Sequence, residues 1–322
     1  MANTPTDTNA ILRNDAEALI PEEVSKTIIE GAVAQSATLS LFRRLPNMAS
    51  NVQSMPVLDM LPMAYFLNGD TDQKKTTKVA WDKKKIYAEE IAVIVPIPEA
   101  VLNDAQSNGY DIFGEITPRV TEAFGRVIDD AVLFGVNKPE TWRDGIVETA
   151  KNAGNVVTAT GDLFLDIFGE DGVIAKVEED GFLPNGAISA VTMKGKLRGL
   201  RDDNKQPLFV QNLRESASPY ALDGSPLFFL QNGAWDEEKA TMIVGDMSQA
   251  VYSIRQDLTV KLLDQGVIQD AEGNIVYNLA QQDMVALRFV MRLGWEVPNP
   301  INALNSDKET RCPFAVYTPA SV

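Results

Sequence analysis

Residues 74–85, KKTTKVAWDKKK, set six lysines and one aspartate around a tryptophan, a local charge of +5 in a chain whose formal net charge is −16. Clustered ammonium groups can hold carboxylates, and the sequence supplies them: residues 162–181 carry seven acids and one lysine, a local −6. One exposed ion pair contributes only ~0–1 kcal/mol. A set of such pairs would therefore select a partner and a register, and leave strength to apolar contact. Two readings follow. The lysines belong to a solvated loop, or Lys74, Lys75, Lys78, Lys83, Lys84 and Lys85, with Trp81, form a basic arm that rests on Glu178, Glu179 and Asp180 of a neighbouring copy.

Other chemistry is scarce. The chain has no histidine, which removes His-ligated metals, Ser-His-Asp triads and Cys-His dyads. It contains no G-x-S-x-G, no G-x-G-x-x-G and no G-x-x-x-x-G-K-[ST]. Asp70 and Asp72 flank Thr71 as in the first positions of a calcium loop, but the glycine and terminal glutamate such a loop needs do not follow. No catalytic, cofactor or metal site is expected. The single cysteine, Cys312, cannot form an internal disulfide and reads as an inert thiol. Tight binding of a phosphate backbone needs a basic footprint, so the acidic balance argues against a reader of nucleic-acid sequence. An acidic wall would leave a polyanion beside it mobile. No apolar run is long enough for a membrane span, and the N-terminus lacks the pattern of a signal peptide.

The elements that must carry the basic stretch are legible. Residues 52–95 read as a two-limbed excursion. VQSMPVLDMLPMAYFL goes out with Pro56 and Pro62 marking an edge strand, Asn68-Gly69 leads the turn, and VAWDKKKIYAEEIAVIVP returns. The return is polar from Asp82 to Lys85 and apolar from Ile91 to Val95, as expected of a strand whose base lies in a core and whose far end projects from it. A limb of about 15 residues spans roughly 50 Å, and an isolated hairpin is marginal in water, so the outer half needs another molecule. Ahead of it, Pro21, Glu22 and Glu23 start a helix with Val24, Ile28, Ile29 and Val33 on one stripe. After it, Glu99–Ala105 forms a short helix stopped near Asn108-Gly109. Residues 111–134 form a long helix with Phe113, Ile116, Val120, Phe124, Val127, Ala131 and Phe134 on its apolar side. Pro118 either kinks it or starts a new helix capped by Thr117. Residues 138–247 mix short helices and strands, with Asp162 as a cap and QPLFVQ (206–211) as one strand, and 250–297 read as successive long strands with Val285, Leu287, Phe289 and Met291 on one face. The alternation is too irregular for a doubly wound sheet, which gives an α+β class.

With these elements placed, the order of LIPEEVSKTIIEGAVAQSATLSLF, MPVLDMLPMAYFLNGD, KVAWDKKKIYAEEIAVIVPIPEAVLNDA, VTEAFGRVIDDAVLFG with WRDGI, MKGKLRGLRDDNKQPLF, ALDGSPLFF, IVGDMSQAVYSI and MVALRFVMRLGWEVPNPINAL resembles the major capsid proteins of tailed bacteriophages, whose fold is named after phage HK97. The resemblance implies an α+β, HK97-like capsid fold. Its expected parts are an N-terminal arm (1–48), an extended β-hairpin loop (49–95), a peripheral domain with a long spine helix (96–138 and 247–305), an axial domain (139–246) and a C-terminal tail (306–322). It further implies a structural protein, not an enzyme, that assembles through pentamers and hexamers into an icosahedral shell around double-stranded DNA, without a cofactor. The implied partners are other copies of the chain, a portal protein, a possible decoration protein and DNA held without sequence-specific contact. Only 18 residues precede the arm motif, so the resemblance implies a separate scaffolding protein or a chain already trimmed, and Met1 favours the former. Some relatives crosslink a loop lysine to an asparagine; Lys74, Lys75, Lys78, Asn274 and Asn278 lie in the regions concerned, and no crosslink is assigned. Assembly is expected in the host cytoplasm and residence in the virion. Two rivals stand beside this reading: an encapsulin-type compartment, which shares the fold and differs in its cargo, and a soluble enzyme using two carboxylates.

Overall fold

The structure is a computed structural model and describes residues 36–67, 73–107, 112–200, 221–270 and 272–320. In chain order these give α1 (Ala37–Leu41), β1 (Arg43–Arg44), β2 (Val52–Met60), β3 (Ala80–Tyr87), β4 (Glu89–Pro98), α2 (Glu99–Ser107) and α3 (Ile112–Phe134). Next come α4 (Ile146–Ala153), β5 (Val156–Thr158), α5 (Leu163–Phe168), α6 (Val173–Glu179), β6 (Gly186–Ala190) and α7 (Met193–Gly199). The remainder is β7 (Ala221–Leu222), β8 (Ser225–Leu230), β9 (Met242–Gly245), a 3-10 turn (Met247–Gln249), β10 (Val251–Leu263), β11 (Val267–Gln269), β12 (Ile275–Asn278), β13 (Met284–Glu296) and β14 (Phe314–Thr318). The expected arm helix from Pro21, the Asn68-Gly69 turn, Asp70, Asp72, the Asn108-Gly109 stop and a strand over QPLFVQ (206–211) lie outside the described residues.

The chain forms two compact units, one from residues 90–122 and 256–292, the other from 33–89, 123–255 and 293–322. Helix α3 and strands β10 and β13 contribute residues to both. In the first unit β13 lies between β10 and the edge strand β4, and β11 and β12 form a separate antiparallel pair. Edge position explains how β4 tolerates Pro96 and Pro98, which have no N–H to donate. Its apolar run corrects an expectation. Ile91, Val93 and Val95 are only half-buried and Ile94 is exposed, so this is not a core-bound base. The returning limb is two strands divided at Ala88, β3 pairing with β2 and β4 with β13.

The second unit is organised on a six-stranded mixed sheet, β5-β14-β9-β6-β8-β7. Strand β14 pairs parallel with β5 and antiparallel with β9, and β6 pairs antiparallel with β9 and parallel with β8. Helices α5, α6 and α7 cover one face, burying Ile167, Val173, Val177, Met193 and Leu197 against Ala187, Met242, Val244 and Ala315. The segment read as a C-terminal tail thus supplies an interior strand of this sheet.

The remaining expectations meet the structure as follows. Helix α3 runs unbroken through Pro118. Its buried side is centred on Val120, Phe124, Ile128 and Ala131, whereas Val127 is exposed, one position off the assumed stripe. Asp162 caps α5 by accepting from the N–H groups of Phe164 and Leu165. Strand β13 buries Val285, Leu287, Phe289 and Met291 as expected, but Ala286 and Val290 on its other face are buried too.

The described end of the arm is tied down. Asp129 of α3, fully buried, accepts from Ser36 Oγ (2.8 Å), Thr38 Oγ1 (2.7 Å), the N–H groups of Ala37 (3.2 Å) and Thr38 (3.1 Å), and Asn232 Nδ2 (2.7 Å). Residues Arg43 and Arg44 then pair parallel with Val251 and Tyr252.

Candidate assembly interface

The basic stretch sits on a two-stranded hairpin. Strands β2 and β3 pair antiparallel from Val52↔Tyr87 at the root to Met60↔Ala80, with a bulge between Leu58 and Met60. Pro56, opposite Lys83, is tolerated because each strand of a two-stranded ribbon has a free edge. Residues 61–67 and 73–79 continue without regular structure. Met63 N–H donates to Thr77 Oγ1 at 3.0 Å, and the Tyr65 hydroxyl donates to the Lys75 carbonyl at 3.2 Å while accepting from its N–H. The Lys75 ammonium lies 5.9 Å from the Tyr65 ring centroid. These links cross the ribbon and hold its tip together.

The root is buried. Ile86 is fully enclosed with Met48 and Val251, and the Trp142 indole N–H donates to the Tyr87 carbonyl at 3.1 Å; farther out, opposite Trp81, Ile301 N–H donates to the Leu58 carbonyl at 3.1 Å. Beside it lies a cleft of about 540 Å³ whose lining includes Asp59, Asp82, Lys84, Arg143, Lys308 and Arg311. The outer half is bare. Phe66 is 98% exposed, Met63 79% and Trp81 67%. No monomer gains from presenting such side chains to water at ~25 cal/mol per Å², and large exposed apolar patches mark contact sites.

Each residue named from the sequence has a definite place. Lys74, Lys75, Lys78, Lys83 and Lys85 are exposed on the hairpin, and Lys84 is half-buried in the cleft lining. Glu178 is exposed, and Glu179 is exposed with its carboxylate 3.1 Å from Lys176 Nζ. Asp180 departs from its expected role. It is buried, its carboxylate accepts from Asn155 Nδ2 (2.8 Å), Cys312 N–H (2.8 Å) and Asn305 Nδ2 (2.7 Å), and its carbonyl accepts from Asn302 Nδ2 (2.7 Å). A carboxylate so fully engaged within its own chain has nothing left for a neighbour. Reading charge alone also passed over Met63, Tyr65, Phe66 and Leu67, although an apolar run between Pro62 and a turn is a visible signal for them.

Among the described residues no group of three or more His, Cys, Asp or Glu side chains is placed to hold a metal, and no helix is long and apolar enough to cross a membrane. Cys312 is buried, and burial pushes its thiol up to about 11, which makes it a poor nucleophile.

A mixed sheet unit, a long helix shared between two units and a separate two-stranded hairpin describe the HK97-like capsid fold. Solved structures agree. The chain is similar to one titled Microbacterium phage Oxtober96 at 37% identity and TM-score 0.75, covering 96% of this chain and 99% of that one. A second, Mycobacterium phage Adephagia, gives 30% identity, TM-score 0.76 and coverage of 97% and 99%. A capsid of an empty GTA particle, at 17% identity and TM-score 0.60 over 100% of this chain and 96% of that one, supports the fold alone. The search of curated proteins gave no match. The phage capsid family matches residues 16–305, and the chain belongs to that family. It is a major capsid protein, the self-assembling subunit of an icosahedral virion shell.

Proposed function

We propose that this subunit builds its shell through pentamers and hexamers, and that the hairpin of each copy lies on its neighbour. The observation that carries this reading is the contrast along one ribbon: a root locked around Ile86 and an outer half where Phe66, Met63 and Trp81 are open to solvent. Such a ribbon leaves apolar side chains that its own copy does not cover, and obligate contacts of 2,000 Å² or more would cover them. Its work is structural, through interfaces and not catalysis. The shell encloses double-stranded DNA without reading its sequence, in keeping with the net charge of −16. A separate scaffolding protein, a portal protein and, on the outer surface, a decoration protein are the partners this role calls for, with assembly in the host cytoplasm.

The test is negative-stain microscopy of the full chain, expressed alone and with a scaffolding candidate, beside a variant lacking residues 68–80. Closed particles from the intact chain, and folded but unassembled subunits from the deletion, are expected. Normal shells from the deletion would overturn the role of the hairpin.

A further inference from the structure

Helix α5 turns part of its apolar surface outward. A helix on the surface of a globular protein turns its apolar side inward. In α5 Ile167 is in the core and Leu163 packs against it, but Asp166 is buried with them while Phe164 (41%), Leu165 (57%) and Phe168 (39%) are exposed. This orientation is enforced. Asp166 accepts from Thr160 Oγ1 (2.6 Å), Thr160 N–H (3.0 Å) and the Tyr317 hydroxyl (3.0 Å). Turning the helix to bury its phenylalanines would strip a buried carboxylate of three donors. The outer side is also organised: the Phe164 and Phe168 rings stand 5.3 Å apart at 35°, and the exposed carboxylates Asp162, Glu170 and Asp171 lie along the same segment. A preformed aromatic centre with a charged rim has the anatomy of an interface hot spot.

We infer that this face of α5 is the seat for the hairpin tip of a second copy of the chain. The inference rests on the reading above that the hairpin lies on a neighbour, and names where. Charge complementarity identifies the occupant. The outer ribbon presents Met63 and Phe66 on one limb and exposed Lys74, Lys75 and Lys78 on the limb bonded across from it, an apolar centre with a basic side to match an apolar centre with an acidic one. Phe66, 98% exposed, has no cover in its own copy. The exposed acids of α6, Glu178 and Glu179, have a single exposed leucine after them, Leu183, in place of a ring pair, and Glu179 already has Lys176. The competing occupant is a second copy's α7, which is basic but among the described residues beside it has only Val191 as an exposed large apolar neighbour. Apolar contact then supplies strength, and the lysine–carboxylate pairs supply register.

The experiment places a benzoylphenylalanine crosslinker at Leu165 in the full chain, assembles shells from mixed light and heavy isotope-labelled copies, irradiates them and maps adducts by mass spectrometry. Light–heavy adducts within residues 61–85 are expected. Adducts on α7 or any other segment, adducts within one copy only, or no adduct in intact shells would overturn the proposal. A second arm reverses Lys74, Lys75 and Lys78 to Glu, which should cut particle yield at least about tenfold if three pairs together contribute ~1.4 kcal/mol. Adding Glu170→Lys and Asp171→Lys to that chain should restore the yield. No loss, or no restoration, counts against the seat. Should the unaltered chain form no rings or shells, it is the reading of the hairpin as an assembly element that fails, and this seat with it.

Discussion

Gly294 of β13 lies against the hairpin root so closely that a Cβ there would come within 2.7 Å of Ile86 Cγ2, and nearer still to the Tyr87 carbonyl oxygen. The Tyr87 neighbours are backbone and the Ile86 side chain is fully buried, which leaves no flexible group to give way. Gly294→Ala should cost ~1–3 kcal/mol through overpacking and loosen the ribbon at its anchor. Thermal unfolding and limited proteolysis across residues 61–79 check this. Gly199→Ala, at a position with open space around it, is the matched control and should change neither.

Asp129 sets up a different test. Its five donors include no cation, and burial raises its carboxyl above the ordinary value, opposed by the hydrogen bonds from Thr38, Ser36 and Asn232. A carboxyl with a raised folded-state value favours the folded chain most below its unfolded value of 3.8, and that contribution falls as pH rises through the folded value. Asp129→Asn keeps the shape but turns an NH₂ toward donors, and should destabilise by ~2–4 kcal/mol. The gap between the two proteins, read from denaturant titrations, should be widest at low pH and narrow toward neutrality.

Three consecutive acids should behave unequally. Glu178→Ala and Glu179→Ala remove exposed groups and should stay within about 0.5 kcal/mol of the parent. Asp180→Ala strands Asn155, Asn305 and the Cys312 N–H and should cost ~2–4 kcal/mol. Equal effects in denaturant titrations would contradict the burial of Asp180.

Phe66→Ser with Met63→Ser addresses the tip. Both side chains are almost free of their own copy, so the melting temperature of isolated subunits should hardly move, while particle counts by microscopy fall. A large loss of subunit stability would mean that the tip serves its own fold.

Cys312 should be silent in the native chain. With 1% exposure and a thiol held near 11, it should react with a thiol reagent at pH 8 only after denaturant is added.

Much of this was readable along the chain because it is local. The period of three and four marks α3, Asp162 announces the start of α5, and the two limbs around residues 61–79 announce a ribbon. The lysines of that ribbon were legible as a charge cluster for the same reason. Their counterpart was not, because equal local charge conceals unequal burial: Glu178, Glu179 and Asp180 look alike in sequence, and only the arrival of Asn155, Asn305 and Cys312 from elsewhere takes Asp180 inside.

By itself, then, the sequence determined the repertoire: no histidine chemistry, an acidic body, a basic ribbon and a family pattern running across most of the chain. The tertiary structure alone decided that residues 314–318 fill the space between β5 and β9, that the apolar run of β4 lies on an edge, and that α5 shows its phenylalanines to the outside. The physical reason is range. Helix stripes, caps and turns depend on neighbours within a few positions, whereas sheet order and the facing of a short helix are fixed by partners such as Tyr317, which meets Asp166 from 151 positions away.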